Sequence, residues 1–194
     1  MTSKPHPNVV ALSGYSRSGK DTFAKFLVDK ARTEGHFWDT IAIADVLKRQ
    51  AAAECGIDVE CFYHEDQKDR LNTLIGMTPR QYLIQYGAKK RAEHGETYFI
   101  DLLCEAIDQV EQDANWPDAI IVTDVRYPVE QKRLAERYNV KTVRIIRDER
   151  YINKNDGSDA DFMENGQFDV NVLNGEEGLD KFELSSHQYY LYLV

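Results

Sequence analysis

The chain has 194 residues, a formal net charge of −9, and 42% hydrophobic and 29% charged residues. That length suffices for a single α/β domain with a full core, and the balance is ordinary for a soluble globular protein. The acidity argues against a general nucleic-acid binder, whose footprint would be basic. A local cluster of Arg and Lys around a small anion stays compatible with it. No apolar run approaches the ~20 residues of a membrane span. The opening MTSKPHPN lacks the apolar core of a signal peptide. No membrane partner and a cytoplasmic location are therefore expected. Cys55, Cys61 and Cys104 form no C-x-x-C pair and read as reduced thiols.

Residues 1–7, with Pro5 and Pro7, read as a loose tail. The run Val9-Val10-Ala11-Leu12 predicts a short buried strand. It breaks at Gly14, and Gly14-Tyr15-Ser16-Arg17-Ser18-Gly19-Lys20 fits the G-x-x-x-x-G-K phosphate-binding loop. Glycines let the backbone curl so that successive N–H groups face one concavity. The following helix adds its own N–H groups and the positive end of its dipole. Lys20 adds a mobile positive charge. Asp21-Thr22 departs from the usual Ser/Thr-first ending of the motif. The five His and three Cys show no metal-ligand spacing, so any metal is expected to be Mg²⁺ arriving with a nucleotide.

Phe23, Phe26, Leu27 and Ala31 recur at helical spacing, with an end near Gly35. Thr40 to Ala44 predicts a second strand and Val46 to Cys55 a helix stopped by Gly56. Asp45 and Lys48 then fall just past a strand's carboxyl end, where ligands of open α/β sheets bind. Asp45 reads equally as a helix N-cap. The stretch 57–76 is polar, with a charge run from His64 to Arg70 that contains Lys68. Thr78-Pro79-Arg80 starts a helix that is expected to end at Gly87. Lys89, Lys90 and Arg91 form a basic cluster. Thr97 to Ala114 is the clearest amphipathic helix. Ala119 to Val122 is a buried strand running into Thr123-Asp124-Val125-Arg126. Pro128 opens a helix through Arg137, and Val140 to Ile146 is a strand ending at Arg147. Residues 148–167 are polar, with turn signals at Asp156-Gly157 and Asn165-Gly166, and read as a lid or disordered loop. Asp169 to Leu173 is a last strand, followed by the turn Asn174-Gly175 and a short helix around Leu179 and Phe182. The Tyr-rich tail reads as an edge strand or an oligomer contact. Strands alternating with helices predict a parallel sheet covered on both faces, in one domain.

The motifs GYSRSGKDT (14–22), ADVLK (44–48), Lys68, TPRQYLIQYG (78–87) with Arg91, TDVRYPVE (123–130), VRIIR (143–147) and VNVLNG (170–175) occur in this order. In them the chain resembles the phage-type deoxynucleoside monophosphate kinases, within the wider P-loop kinase group, from about Val9 to Phe182. It is also similar to the animal-type phosphomevalonate kinases, in the Gly-Lys-Asp ending, in Lys90-Arg91 and in Asp124-Val125-Arg126. Tyr15 and Ser16 stand where that second family carries further basic residues.

The resemblance implies a P-loop NTPase-like three-layer α/β/α fold with a parallel five-stranded sheet. It implies an acceptor-binding helical region at 56–96 and a lid at 148–167. The implied activity is transfer of the γ-phosphate of ATP, with Mg²⁺, to a (deoxy)nucleoside 5′-monophosphate. The partners are small nucleotides, the location is the host cytoplasm for a phage-encoded chain, and a homodimer is one option. Gly14 to Thr22 would hold the donor phosphates, with Lys20 and Arg17 on the moving group. Asp21 would bind Mg²⁺ directly or through water, or else cap the helix and leave the metal to Thr22 and Asp124. Arg126, Arg80 and Arg91 are candidates to clamp the acceptor phosphate, because the guanidinium fork binds phosphate oxygens in pairs. Asp45, Lys48, Lys68, Gln85, Lys90 and Asp124 complete the acceptor set. Arg147 would be a lid arginine, with Arg150 second to it. Asn174-Gly175 is either the segment beside the donor's adenine or a plain turn. Tyr82, Tyr86, Tyr98 and Phe99 are core aromatics, one of which could stack on a base. Two other readings stay open. One changes the acceptor to a small phosphorylated metabolite. The other is a nucleotide-dependent switch without transfer, ranked last on the expectation that no guanine-recognition tetrad of the N-K-x-D type is present.

Overall fold

In the computed structural model, residues 8–110, 116–155, 158–175 and 178–193 are described. Residues 1–7, the Asp156-Gly157 turn signal and the Ala114 end of the amphipathic helix lie outside them. The chain divides into two compact units, one of residues 1–42 with 104–194 and one of residues 43–103.

The first unit is built on five parallel strands: β1 (Asn8–Ser13), β2 (Trp38–Ile41), β3 (Ala119–Val125), β4 (Asn139–Arg147) and β5 (Val170–Asn174). Their spatial order is β2-β3-β1-β4-β5, which gives β1 a parallel partner on each side. Val9, Val10, Ala11 and Leu12 are buried, as an apolar run at the centre of a two-sided sheet must be. Val10 and Leu12 point to one face, where they join Phe23 and Leu27 of α1 (Lys20–Thr33) and Phe182 and Tyr190 of α8 (Leu179–Leu193). Burying each of these side chains is worth about 1.5–3 kcal/mol. Alternation sends Val9 and Ala11 to the opposite face. Leu134 of α6 (Pro128–Arg137) and Ile107 in the later part of α5 (Tyr98–Val110) are buried as well, outside the first cluster. Tyr138 fastens these helices, donating to the Cys104 carbonyl at 3.0 Å and to Asp108 at 2.7 Å. The three-layer α/β/α arrangement expected from the sequence is the one observed.

Several boundaries differ. β2 spans Trp38–Ile41 rather than 40–44, because its register is set by pairing Trp38 with Ala119 and Ile41 with Val122. The helix α2 (Ile43–Cys55) therefore starts earlier, and Asp45 sits inside its first turn rather than capping it. The tail is not an edge strand but the later part of α8. Its buried residues Phe182, Ser186, Tyr190 and Leu193 follow helical spacing, and the Tyr190 ring lies 5.1 Å from that of Trp38. Residues 148–167 are not one long loop, since α7 (Ala160–Asn165) forms there, capped by Asp159 Oδ1 accepting from the Phe162 N–H at 2.7 Å.

The second unit holds α2, a 3₁₀ turn (Val59–Phe62), α3 (Glu65–Lys68), α4 (Pro79–His94) and the start of α5. Thr78 and Gln81 form a reciprocal capping box at the start of α4. The helix runs through Gly87 instead of ending there. A Cβ at that position would lie 3.1 Å from the Leu47 side chain, so glycine lets α2 and α4 approach. Phe62 then meets Tyr82 in a tilted pair, and Tyr82 stacks on Tyr86, with centroids 6.4 and 6.0 Å apart.

Candidate functional site

The phosphate loop leaves β1 at Ser13 and enters α1 at Lys20, as its sequence requires. Gly14 has φ +142°, and a Cβ there would lie 2.6 Å from the Ile145 carbonyl oxygen. Glycine thus lets the loop lie directly on β4. Arg17 has φ +67°, the one positive φ among the described non-glycine residues, and its side chain is exposed. Such backbone strain is kept where the surroundings impose it. Lys20 Nζ donates to the Gly14 and Tyr15 carbonyls at 2.7 and 3.0 Å. Ser18, 1% exposed, has its hydroxyl buried without a hydrogen-bond partner.

Arg17, Gly19, Lys20, Asp21, Thr22, Arg147, Arg150 and Tyr151 line a cavity of about 530 Å³. Arg147 comes from the end of β4 and donates through Nη1 to the Arg17 carbonyl at 3.0 Å. Four cationic side chains and a helix N-terminus thus surround one space, which suits a polyanion. Asp21 is exposed in the first turn of α1. The residue at the N-cap is Gly19, without a side-chain cap, so the capping alternative for Asp21 does not hold.

A second cavity, of about 720 Å³, shares Gly19, Thr22, Arg147 and Tyr151 with the first. Its other walls include Asp148, Asn174, Gly175, Leu179 and Phe182. Asn174 Nδ2 donates to the Ser18 carbonyl at 2.8 Å, so the Asn174-Gly175 segment is tied to the phosphate loop rather than being a detached turn. The two cavities together form a groove with a cationic end and a more apolar end.

Asp124, 9% exposed, is the penultimate residue of β3, beside the start of the loop, since Val125 pairs with Ser13. Arg126 follows Val125. Buried Glu130 accepts the backbone N–H groups of Arg126 and Tyr127 at 2.8 and 3.1 Å and so fixes this strand end. The Arg126 carbonyl accepts the Asp159 N–H at 3.1 Å.

In the unit of residues 43–103, Asp45 accepts from the Tyr63 hydroxyl at 2.7 Å and from Lys48 at 3.2 Å, and Lys48 lies 3.9 Å from the Tyr63 ring centroid. Burial, and next the Asp45 carboxylate, push the Tyr63 hydroxyl up to about 12. Arg80 makes a fork with Asp69 at 2.6 and 3.2 Å, which lowers the Asp69 carboxyl. Lys90 pairs with Glu54 at 3.0 Å. Arg91 lies over Phe99 at 5.4 Å. Gln85 is exposed and Lys68 half-buried. Tyr86 and Phe99 belong to the buried core of this unit, and Tyr98 stacks on His94.

The sequence reading passes over several groups. Tyr151 lines both cavities and carries no periodic signal. Glu130 was findable, since it lies three residues after Tyr127 with Pro128 between, a capping pattern. The expected lack of an N-K-x-D tetrad is wrong on the sequence itself: Asn153-Lys154-Asn155-Asp156 has that spacing. Asp156 lies outside the described residues. The Asn153 N–H donates to the Ser16 carbonyl at 3.1 Å. Lys154 is held by Glu149 at 2.7 Å and Glu164 at 3.0 Å, which raises its ammonium pKa. Neither Asn153 nor Lys154 lines the groove beside Asn174.

The strand order and the glycine-rich loop after β1 give an α/β protein of P-loop NTPase-like fold, with a cationic groove beside the loop. No family profile and no curated protein matches the sequence. Solved structures similar in fold include a sugar kinase from Janibacter sp. HTCC2649, 13% identical, covering 98% of this chain and 96% of that one at a TM-score of 0.45. Shikimate kinase from Aquifex aeolicus VF5 is 14% identical, with coverage of 96% and 99% and a TM-score of 0.43. A gluconokinase from Sinorhizobium meliloti 1021 is 13% identical, with coverage of 98% and 95% and a TM-score of 0.39. Likeness at this level says nothing about what the chain acts on.

Proposed function

We propose that this protein is an ATP-dependent kinase acting on a (deoxy)nucleoside 5′-monophosphate. The observation that carries the proposal is the convergence of Arg17, Lys20, Arg147 and Arg150 on one cavity that continues past Tyr151 to the Asn174–Phe182 groove. A triphosphate fits that layout, with phosphates at the cationic end and adenine at the other. Lys20 donates to loop carbonyls, hydrogen bonds that phosphate oxygens would replace when a nucleotide binds. In the reaction an oxygen of the acceptor phosphate bonds to the γ-phosphorus. The bond to the β–γ bridging oxygen breaks, and ADP leaves with that electron pair. Catalysis of this kind rests on positioning and charge neutralisation, which arginines from both the loop and the end of β4 supply.

Adjacent oxygen donors on Asp21 and Thr22 line the cavity and suit Mg²⁺, and the resemblance adds Asp124, near the end of β3, as a further candidate ligand. Bound there with the nucleotide, Mg²⁺ would neutralise charge on the β- and γ-phosphates. The nucleotide acceptor is supported by the sequence resemblance, which gives acceptor roles to Asp45, Lys48, Lys68, Arg80, Gln85, Lys90, Arg91, Asp124 and Arg126. Residues 148–167 serve as a lid in this reading, closing over the phosphates to keep water from the γ-phosphoryl. The test is coupled ADP release with ATP–Mg²⁺ across all NMPs and dNMPs, with phosphomevalonate as a further arm. Stimulation by a subset of monophosphates is expected. No stimulation by any nucleotide sinks the acceptor assignment, and stimulation by phosphomevalonate alone transfers it to the second family.

A further inference from the structure

Tyr151 has no place in the resemblance, yet it stands where the two cavities meet and lines both. The residue is 43% exposed. Two guanidinium groups pack on it. Arg147 lies 4.7 Å from the ring centroid and Arg150 lies 5.5 Å away. Each arginine also makes hydrogen bonds of its own. Arg147 donates to the Arg17 carbonyl at 3.0 Å. Arg150 makes a fork with Asp148, at 2.8 Å through Nε and 3.1 Å through Nη2, and this fork brings the Asp148 carboxyl down to about 2. One ring therefore meets two cations at once.

We infer that Tyr151 is a positioning residue that sets the two lid arginines around the donor's terminal phosphates. The inference rests on the reading of this groove as the donor site. A π face attracts cations through its quadrupole, and long arginine side chains lose several rotamers when they order on a ligand. A ring that orders Arg147 and Arg150 beforehand removes part of that cost from binding. An aliphatic side chain of similar size fills the space without holding the cations. The effect belongs to the phosphates and not to the base.

Isothermal titration of the full chain with ATP–Mg²⁺ and, separately, with inorganic tripolyphosphate–Mg²⁺ tests this. Tyr151→Leu should weaken both ligands about tenfold, the scale of losing two partly exposed cation–π contacts. Tyr151→Phe, which keeps the π face, should restore both affinities. Unchanged thermal midpoints in the absence of ligand would show that the fold survives each change. Loss for ATP without loss for tripolyphosphate overturns the inference, because the ring would then be a platform for the base. So does a Phe variant as weak as the Leu variant, which would place the effect on the hydroxyl, and so does a Leu variant that binds like the wild type. A wild type that binds neither ligand fails earlier, at the donor-site reading, and is recognised before any substitution is made.

Discussion

Gly14→Ala isolates the close approach of the phosphate loop to β4. The new Cβ would stand 2.6 Å from the Ile145 carbonyl oxygen and 2.7 Å from Ser18 Oγ. The serine hydroxyl can rotate. The carbonyl cannot, because β4 is held in register against β1 from Asn8–Asn139 to Ser13–Arg144. Backbone strain at φ +142° adds about 1–3 kcal/mol. Overpacking against a fixed strand adds about 1–3 kcal/mol more. The sum is about 4 kcal/mol, a large share of a domain's stability. Gly35→Ala provides the control, since Gly35 has φ +81° but nothing within 4 Å of the added carbon. It should cost only the left-handed conformation, about 1–2 kcal/mol. Urea unfolding with linear extrapolation measures both, and ATP titration of the folded Gly14 variant should show weakened binding as the loop is pushed off β4. Equal destabilisation by the two substitutions would refute the reasoning, because the carbonyl contact would then carry no cost.

Three further outcomes are expected. Arg147→Ala should lower kcat for phosphoryl transfer by about 100-fold or more, the scale of losing one preorganised charge at the transferring group, while thermal unfolding without ligand moves little; full activity would remove Arg147 from the reaction. Thr78→Ala breaks the capping box of α4 and should cost about 1 kcal/mol, read as a lower urea midpoint with an unchanged slope. Tyr63 has its hydroxyl pKa raised in the folded state, so the folded protein keeps the proton longer than the unfolded chain does. The resulting stability is complete below pH ~10 and is lost as pH rises toward 12, and the difference between wild type and Tyr63→Phe across that window should show this fall.

The phosphate loop and the inner strands were legible because their signals are local. A glycine-spaced turn after a β-branched run needs no distant partner to be recognised. What the sequence hid depends on contacts between remote residues. β2 begins at Trp38 because Ala119 waits beside it, 81 positions along the chain. Gly87 stands inside a helix at the place where Leu47 comes too close for a larger side chain. The tail alternates Tyr and Leu like a strand, yet its buried Tyr190 meets Trp38 only if the segment is a helix. Among the site residues, the loop, Arg147 and Asn174 stand out by motif and strand end. Tyr151 does not, since its role arises from two arginines stacking on it. For Lys48, Arg80 and Lys90 the sequence shows a charge but not the carboxylate that each one faces.

The loop hangs from the middle strand of the sheet, and this has a consequence for its endurance. Sheets fray from their margins, and amides at the centre exchange with solvent only in the rarest openings. β5 and β2 can loosen at the rim while β1 stays clasped by β3 and β4. The point from which the loop hangs therefore inherits the slowest opening of the whole unit, and the loop's attachment should outlast partial melting of either flank.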